Sequence, residues 1–316
     1  MMVLKTAPEE LNRELAEVEL ALYQYIRSDS SLINNGITHL LEGGGKRIRP
    51  LLCLIGAHYG TPSSRLVDVA TMPEMLHLAS LIHDDIIDEA DSRRGVKTLH
   101  KSLGTDIAVY AGDLIIVDTL HRMLDYYDQA YYREFSSDLL QIVRGEIRQM
   151  SMRKSYEPSL KHYMRVIEGK TARLLKLSLK MGMAYADVPK DIQKTLVQIV
   201  HELGLAFQIV DDCLDYQSHV TSLGKPVLQD LKNGYMTLPA ILRGKKEPQF
   251  IAKLKQKGIT RSALKSAEGF KPYVDEAMHY AKKLSKRAIK RIDGLGEHPM
   301  NAPLRELVET LLVRSL

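Results

Sequence analysis

Only two of the 316 residues are cysteine, Cys53 and Cys213. They cannot make a disulfide framework, and their scarcity suits a reducing compartment. Tryptophan is absent and aromatic residues are 6% of the chain, so base-stacking platforms are poorly supplied and a nucleic-acid binder is disfavoured. Long apolar runs are missing too: no stretch approaches the roughly 18 uninterrupted apolar residues of a membrane span. The opening MMVLKTAPEELNRELAEVELAL has acids spaced through it, unlike the apolar centre of a secretory leader. Gly (20) and Pro (12) are too scarce for a fibrous or loop-rich protein. These absences point to a cytoplasmic protein.

What is present is ordinary for a globular chain: 45% hydrophobic and 26% charged residues, which rules out disorder. The net charge of +5 fits an anionic partner, whether nucleic acid, membrane surface or phosphorylated metabolite. EELNRELAEVELALYQYI, HKSLGTDIAVYAGDLIIVDTLHRMLDYY and KTLVQIVHELGLAFQIVDDCLDY repeat apolar residues three and four apart, the helical spacing. Asn35-Gly36 and Asn233-Gly234 lie between helical segments and read as helix ends. The expectation is an all-α chain of roughly ten or more helices. No linker rich in Pro, Gly and Ser divides it, so residues 1–316 read as one domain.

One short pattern occurs twice. Asp84, Asp85 and Asp88 stand in LIHDDIIDEADSRRG, and Asp211, Asp212 and Asp215 in FQIVDDCLDY. At about 100° per residue, positions i, i+1 and i+4 crowd three carboxylates toward one helix face. Like charges this close repel, and apolar neighbours such as Ile82, Ile86, Ile209 and Leu214 make neither cluster a freely solvated face. A single such triplet reads as an acidic helix end; two inside apolar helices call for a cation. Hard divalent ions suit carboxylate oxygens, Mg²⁺ above all, because it keeps several waters and accepts substrate phosphate oxygens.

Phosphate chemistry also needs cationic side chains. Arg93 and Arg94 follow the first cluster, although a basic helix end alone would account for them. Lys46, Arg47 and Arg49 follow three glycines in LEGGGKRIRP, which is not a nucleotide-binding GxxxxGK[ST] loop. Lys170 and Thr171 lie in EGKTARLLKL, an apolar helical stretch, and Lys225 follows the second cluster. His77 precedes Asp84 by close to two helical turns and shares its face; His83 points elsewhere and reads as structural. Cys213 lies off the acidic face with no base placed beside it, so no thiol nucleophile is expected.

Assembled, these segments resemble the trans-type polyprenyl diphosphate synthases. The resemblance runs in order from about Gly43 to Pro239: GGGKRIRP, then Glu74 leading into SLIHDDIIDEADSRRG, GTDIAVYAGD, GEIRQ, GKT, FQIVDDCLDY and GKPVLQDLKNGYMTLP. It implies the isoprenoid synthase fold, a single large helical bundle around a deep central cavity, with the two aspartate motifs facing each other across its mouth. It assigns Asp84, Asp88 and Asp211 to Mg²⁺, with Asp85, Asp212 and Asp215 supporting or sharing ligation. Lys46, Arg49, His77 and Arg94 would bind isopentenyl diphosphate; Arg93, Lys170, Thr171, Gln208 and Lys225 would hold the allylic diphosphate. Two positions depart from the pattern. Val227-Leu228 stands where a residue and a glycine commonly follow GKP, and Pro73 interrupts, and should kink, the helix leading into the first motif.

Ser80 and Ala79, four and five residues before Asp84, are small where short-chain members place a ring, with Leu76, Pro73 and Met72 deeper. The implied product is of geranylgeranyl length or longer, hexaprenyl to heptaprenyl first. The resemblance also implies a homodimer through GTDIAVYAGDLIIV, or a heteromer with a small unlike subunit. The basic run KKLSKRAIKR allows at most peripheral membrane contact. Rival readings explain less. A metal phosphohydrolase built on His83-Asp84 leaves the second cluster unused, a terpene cyclase needs no separate isopentenyl site, and a regulatory subunit has no need of both motifs.

Overall fold

The computed structural model describes residues 2–25, 28–217, 228–257 and 267–313. Among them are fifteen α-helices and one two-stranded hairpin. In chain order these are α1 (Glu9–Tyr25), α2 (Ser31–Glu42), α3 (Ile48–Ala57), α4 (Leu66–Ile87), β1 (Ser92–Arg93), β2 (Val96–Lys97), α5 (Leu99–Leu103), α6 (Thr105–Met123), α7 (Gln129–Ser151) and α8 (Leu160–Ile167). A π-helical turn (Glu168–Ala172) leads into α9 (Arg173–Tyr185), α10 (Lys190–Gln217), α11 (Gln229–Lys232), α12 (Leu238–Lys246), α13 (Pro248–Lys257), α14 (Lys271–Asp293) and α15 (Asn301–Val313). The described residues gather in two compact units, one from Met1–Ser137, Leu174–Val197 and Glu297–Leu304, the other from Asp138–Arg173, Gln198–Gly296 and Arg305–Leu316.

In the first unit α1, α3 and α6 pack on α4. Six consecutive α4 residues, Thr71 to Leu76, are buried, as in a helix enclosed on every side. Pro73 is one of them, and the helix continues through it rather than being interrupted. The ring removes one backbone donor, and enclosure holds the helix together across that gap. Asn35-Gly36 is likewise inside a helix, α2, not at an end. The cause is tertiary: a Cβ on Gly36 would stand 2.6 Å from Cδ1 of Leu99, so the glycine lets α5 close on α2. Asn233-Gly234 does end a helix, with Gly234 at φ 88 after α11.

The second unit is built around Ile209, Val210, Cys213 and Tyr216 of α10 with Leu238 and Ile241 of α12. Arg243 lies 4.7 Å from the ring centres of both Phe250 and Phe270, and its Nε donates to Glu247 at 3.1 Å. Its charge thus caps an aromatic pair instead of breaking the core.

Gly182 of α9 meets α3 so closely that a Cβ would stand 1.9 Å from the carbonyl oxygen of Cys53. Alanine usually stabilises a helix relative to glycine by about 1 kcal/mol. Here backbone blocks the methyl group, and Gly182→Ala is expected to destabilise the protein by about 3 kcal/mol, read as a lowered denaturant midpoint. An unchanged or raised midpoint would show that α3 and α9 do not touch there.

Candidate active site

The approach to the first cluster is set by Arg47, whose backbone is left-handed (φ 54) where GGGKRIRP enters α3. Its buried guanidinium forks between Glu19, at 2.7 and 2.8 Å, and Glu74, at 3.0 Å. Burial opposes its charge, but the two carboxylates outweigh that and raise its pKa. Removing one partner of such a buried pair costs about 3–5 kcal/mol, so the loop is pinned to α1 and α4. The resemblance gave Arg47, Glu19 and Glu74 no role. A glutamate in an otherwise apolar helix was the only signal that Glu74 needed a partner.

On either side of Arg47, Lys46 Nζ and Arg49 Nε are buried without a hydrogen-bond partner. Burial, opposed by Glu74 and reinforced by Arg94, brings Arg49 down to about 10. Buried cationic groups of this kind favour an anionic ligand. His77 lines the adjoining cavity with Arg47, Glu74, Asp85, Arg93 and Arg94. Burial first, then the charges of Arg49, Arg94, Arg93 and Arg47, hold its pKa well below the ordinary value, so the ring is neutral. His83 packs instead against α6, where a Cβ on Gly112 would stand 2.3 Å from its Nε2.

Arg93 and Arg94 do not end a helix. They belong to the β1–β2 hairpin, in which Arg93 pairs with Val96 and the turn is Arg94-Gly95. Both turn residues have positive φ, 52 and 80, as a two-residue hairpin turn of this hand requires. Arg94 donates to the carbonyl of Gly44, tying the hairpin to the glycine loop. Arg93 turns back to Asp85, with Nε at 2.8 Å and Nη2 at 2.7 Å from Oδ1. Asp85 is therefore buried in an ion pair, while Asp84 is half-buried and Asp88 exposed at the helix end. One step of about 100° is enough to turn the middle carboxylate inward.

The second cluster repeats this division. Asp211 is exposed on a cleft enclosing about 970 Å³, its mouth included, lined also by Gln149, Lys170, Gln208, Asp212 and Tyr235. Asp212 is buried and accepts from Tyr163 Oη at 2.6 Å and Gln208 Nε2 at 2.8 Å. Burial, with the charges of Asp230 and Asp211, outweighs those two hydrogen bonds and pushes Asp212 up to about 8. Thr171 donates to Gln208 Oε1, so Tyr163, Asp212, Gln208 and Thr171 form one chain of bonds that sets the direction of the Gln208 amide. Thr171 and Lys170 are carried by the π-helical turn, a widened turn that sequence periodicity did not reveal. Asp215 accepts the backbone N–H groups of Gln229 and Asp230, at 3.0 and 3.2 Å, and so caps α11. Lys225, with the rest of the GKP segment, lies outside the described residues. Tyr163 was missed, since nothing in KHYMRV marks it beyond a hydroxyl that needs a partner in an apolar helix.

Among the described residues no three His, Cys, Asp or Glu side chains converge as a complete metal cage. Mg²⁺ bound with a diphosphate needs only one or two carboxylates, the rest being water and phosphate oxygens. Asp84, Asp88 and Asp211 offer hard oxygen donors that suit a divalent ion of this kind.

Residues 30–268 match the sequence model of the polyprenyl synthetase family. The chain is 36% identical over 241 residues to "Heptaprenyl diphosphate synthase component 2" of Geobacillus stearothermophilus, covering 76% of this chain and 75% of that protein. The crystal structure of heptaprenyl diphosphate synthase from Staphylococcus aureus aligns with a TM-score of 0.91 at 30% identity, over 97% of this chain and 99% of that one. A polyprenyl synthase from Caulobacter crescentus, in a crystal structure with calcium and isoprenyl diphosphate, aligns with a TM-score of 0.87 at 25% identity, over 99% of this chain and 100% of that one. The all-α architecture is the isoprenoid synthase fold of these enzymes. The chain belongs to the polyprenyl synthetase family and is a metal-dependent prenyltransferase that acts on prenyl diphosphates.

Proposed function

We propose that this prenyltransferase condenses isopentenyl diphosphate with an allylic diphosphate, head to tail, and makes an all-trans polyprenyl diphosphate of geranylgeranyl length or longer. One observation carries the division of labour. In each aspartate motif the middle carboxylate is buried and bonded to a candidate substrate-binding residue, Arg93 in one and Gln208 in the other, and the first carboxylate is less buried than the middle one, half-buried at Asp84 and exposed at Asp211.

Lys46, Arg49, His77 and Arg94 take the isopentenyl diphosphate. The unpartnered buried nitrogens of Lys46 and Arg49 support that reading. Arg93, Lys170, Thr171, Gln208 and Lys225 hold the allylic diphosphate. Asp84, Asp88 and Asp211 would hold Mg²⁺, which when bound would supply neutralising charge to the departing diphosphate. Asp85, Asp212 and Asp215 support from behind, through Arg93, Gln208 and the backbone of α11 respectively. The allylic C–O bond breaks with its electron pair going to pyrophosphate, and the double bond of isopentenyl diphosphate attacks the allylic carbon. The released pyrophosphate takes the proton that is lost. The Thr171 hydroxyl and Gln208 amide, locked in one orientation by Asp212, stabilise the allylic cation with dipoles that do not trap it.

The tail runs along α4 away from Asp84, at 5.4 Å per helical turn. Ala79 and Leu76 are buried on that helix, and neither carries a ring, which supports a product of hexaprenyl to heptaprenyl length. Exposed Val109, Tyr110 and Val117 on α6 support a homodimer through that helix. The Geobacillus relative is one component of its synthase, which supports a small unlike subunit as the alternative. We place the enzyme in the cytoplasm; no described helix is long and apolar enough to cross a membrane.

The purified chain with Mg²⁺, farnesyl diphosphate and labelled isopentenyl diphosphate is expected to yield labelled polyprenyl diphosphate. Transfer that fails both alone and with an added small subunit would sink the reading. Ala79→Phe and Ser80→Phe are expected to shorten the product, seen by chromatography of the dephosphorylated chains; unchanged length in both folded variants would defeat the α4 account of chain length. Tyr163→Phe removes one bond from Asp212 and loosens Gln208. It should lower kcat on the order of tenfold with little change in KM for isopentenyl diphosphate, and a wild-type kcat would show that Gln208 does not depend on it.

A further inference from the structure

Helix α14 buries one face, with Tyr273, Ala277, Ala281, Ala288 and Ile292 turned into the second unit. Its other face presents Lys282, Lys283, Lys286, Arg287 and Lys290, all exposed. From His279 to Ile292 there are six basic residues and no acid, against a net charge of +5 for the whole chain. This one stretch therefore supplies all of the chain's formal excess of base. Arg291 is paired with Glu202 at 3.2 Å, and among the described residues none of the other five has an acidic partner.

The arrangement works against the helix. Lys282, Lys283, Lys286, Arg287 and Lys290 are neighbours at spacings of three and four, where like charges destabilise. The helix dipole favours cations in the last turn only, which accounts for Lys290 and Arg291 and not for the others. A face kept merely solvated can mix signs, as α1 does, with Arg13 3.8 Å from both Glu10 and Glu17. Of the residues between the cations, Ser285 and Ala288 are buried, Leu284 packs against the core and Ile289 is half-buried, so the stripe has little of the polar or stacking chemistry that reads nucleic acid. Tyr280, partly exposed two residues before Lys282, has the mixed character favoured at a lipid–water boundary.

We propose that the exposed basic face of α14 docks the enzyme on an anionic membrane surface. The inference rests on the proposed reaction for its purpose: the product is a long apolar chain on a charged head, which water holds poorly, and the docked enzyme can release it into lipid. Docking is peripheral, since no described helix can span a bilayer. Charge complementarity supplies the attraction, and each basic residue near such a surface strengthens binding roughly fivefold.

The test is sedimentation of the full chain with vesicles of phosphatidylcholine, with and without about a quarter phosphatidylglycerol. Wild type should bind the anionic vesicles only, and lose them as salt is raised. Lys282→Ala, Lys283→Ala, Lys286→Ala and Arg287→Ala combined should weaken binding by at least about 100-fold, with circular dichroism and prenyl transfer in detergent unchanged. Should that variant misfold, Lys282→Gln with Lys286→Gln is expected to weaken binding roughly 25-fold. Absence of binding to anionic vesicles at low salt would overturn the proposal. So would equal binding by folded variants, or displacement from vesicles by short duplex DNA at concentrations where inorganic phosphate has no effect. Vesicle binding and prenyl transfer are read separately, so failure of docking is distinguishable from failure of the proposed reaction.

Discussion

A carboxyl group enclosed by apolar helices must have its oxygens hydrogen-bonded or ion-paired, and both aspartate motifs are organised by that requirement. Asp85 finds Arg93, and Asp212 finds Tyr163 and Gln208. In each case the donor so fixed is a side chain that the family pattern assigns to the allylic substrate. The buried acid thus does its work one step removed, by deciding where a guanidinium or an amide points. Within each motif the neighbouring carboxylates are less buried, Asp84 half-buried, and Asp88 and Asp211 exposed, and hard oxygen donors of this kind suit a divalent ion.

The same logic extends to the glycine loop. Arg47 is bonded to two acids, and that anchoring leaves Lys46 and Arg49 buried without partners on either side of it. Burial, and then the positive charges of this region, also hold the pKa of His77 well below its ordinary value, which leaves the imidazole a hydrogen-bonding group rather than one more cation. These side chains ride on or beside helices whose packing is tight enough that glycine is required at the closest approaches, as at Gly182 against Cys53. A site held by rigid elements keeps its geometry better than one held by loops.

Much of this was legible in residue order. The long periodic segments became α1, α6 and α10, and the repeated acidic pattern marked two helices, α4 and α10, that each carry three clustered carboxylates. Other features were hidden, each for a physical reason. Pro73 and Asn35-Gly36 read as breaks because local propensity disfavours them in helices, and enclosure of α4 and the approach of Leu99 outweigh that preference. Arg94-Gly95 did not resemble the usual hairpin turn, so the β1–β2 hairpin passed as a helix end. Tyr163 and Asp212 are 49 residues apart in sequence, and no local pattern joins them.

Residue order by itself determined the helical class, the chemistry available at the site and the family, because spacing along a helix and the donor character of Asp, Arg and Lys are local properties. Only the tertiary structure decided which aspartates are buried and which donors they meet. That choice depends on the side chains that distant segments deliver to each carboxylate, and on a rotation of about 100° between adjacent residues that exposes one and buries the next.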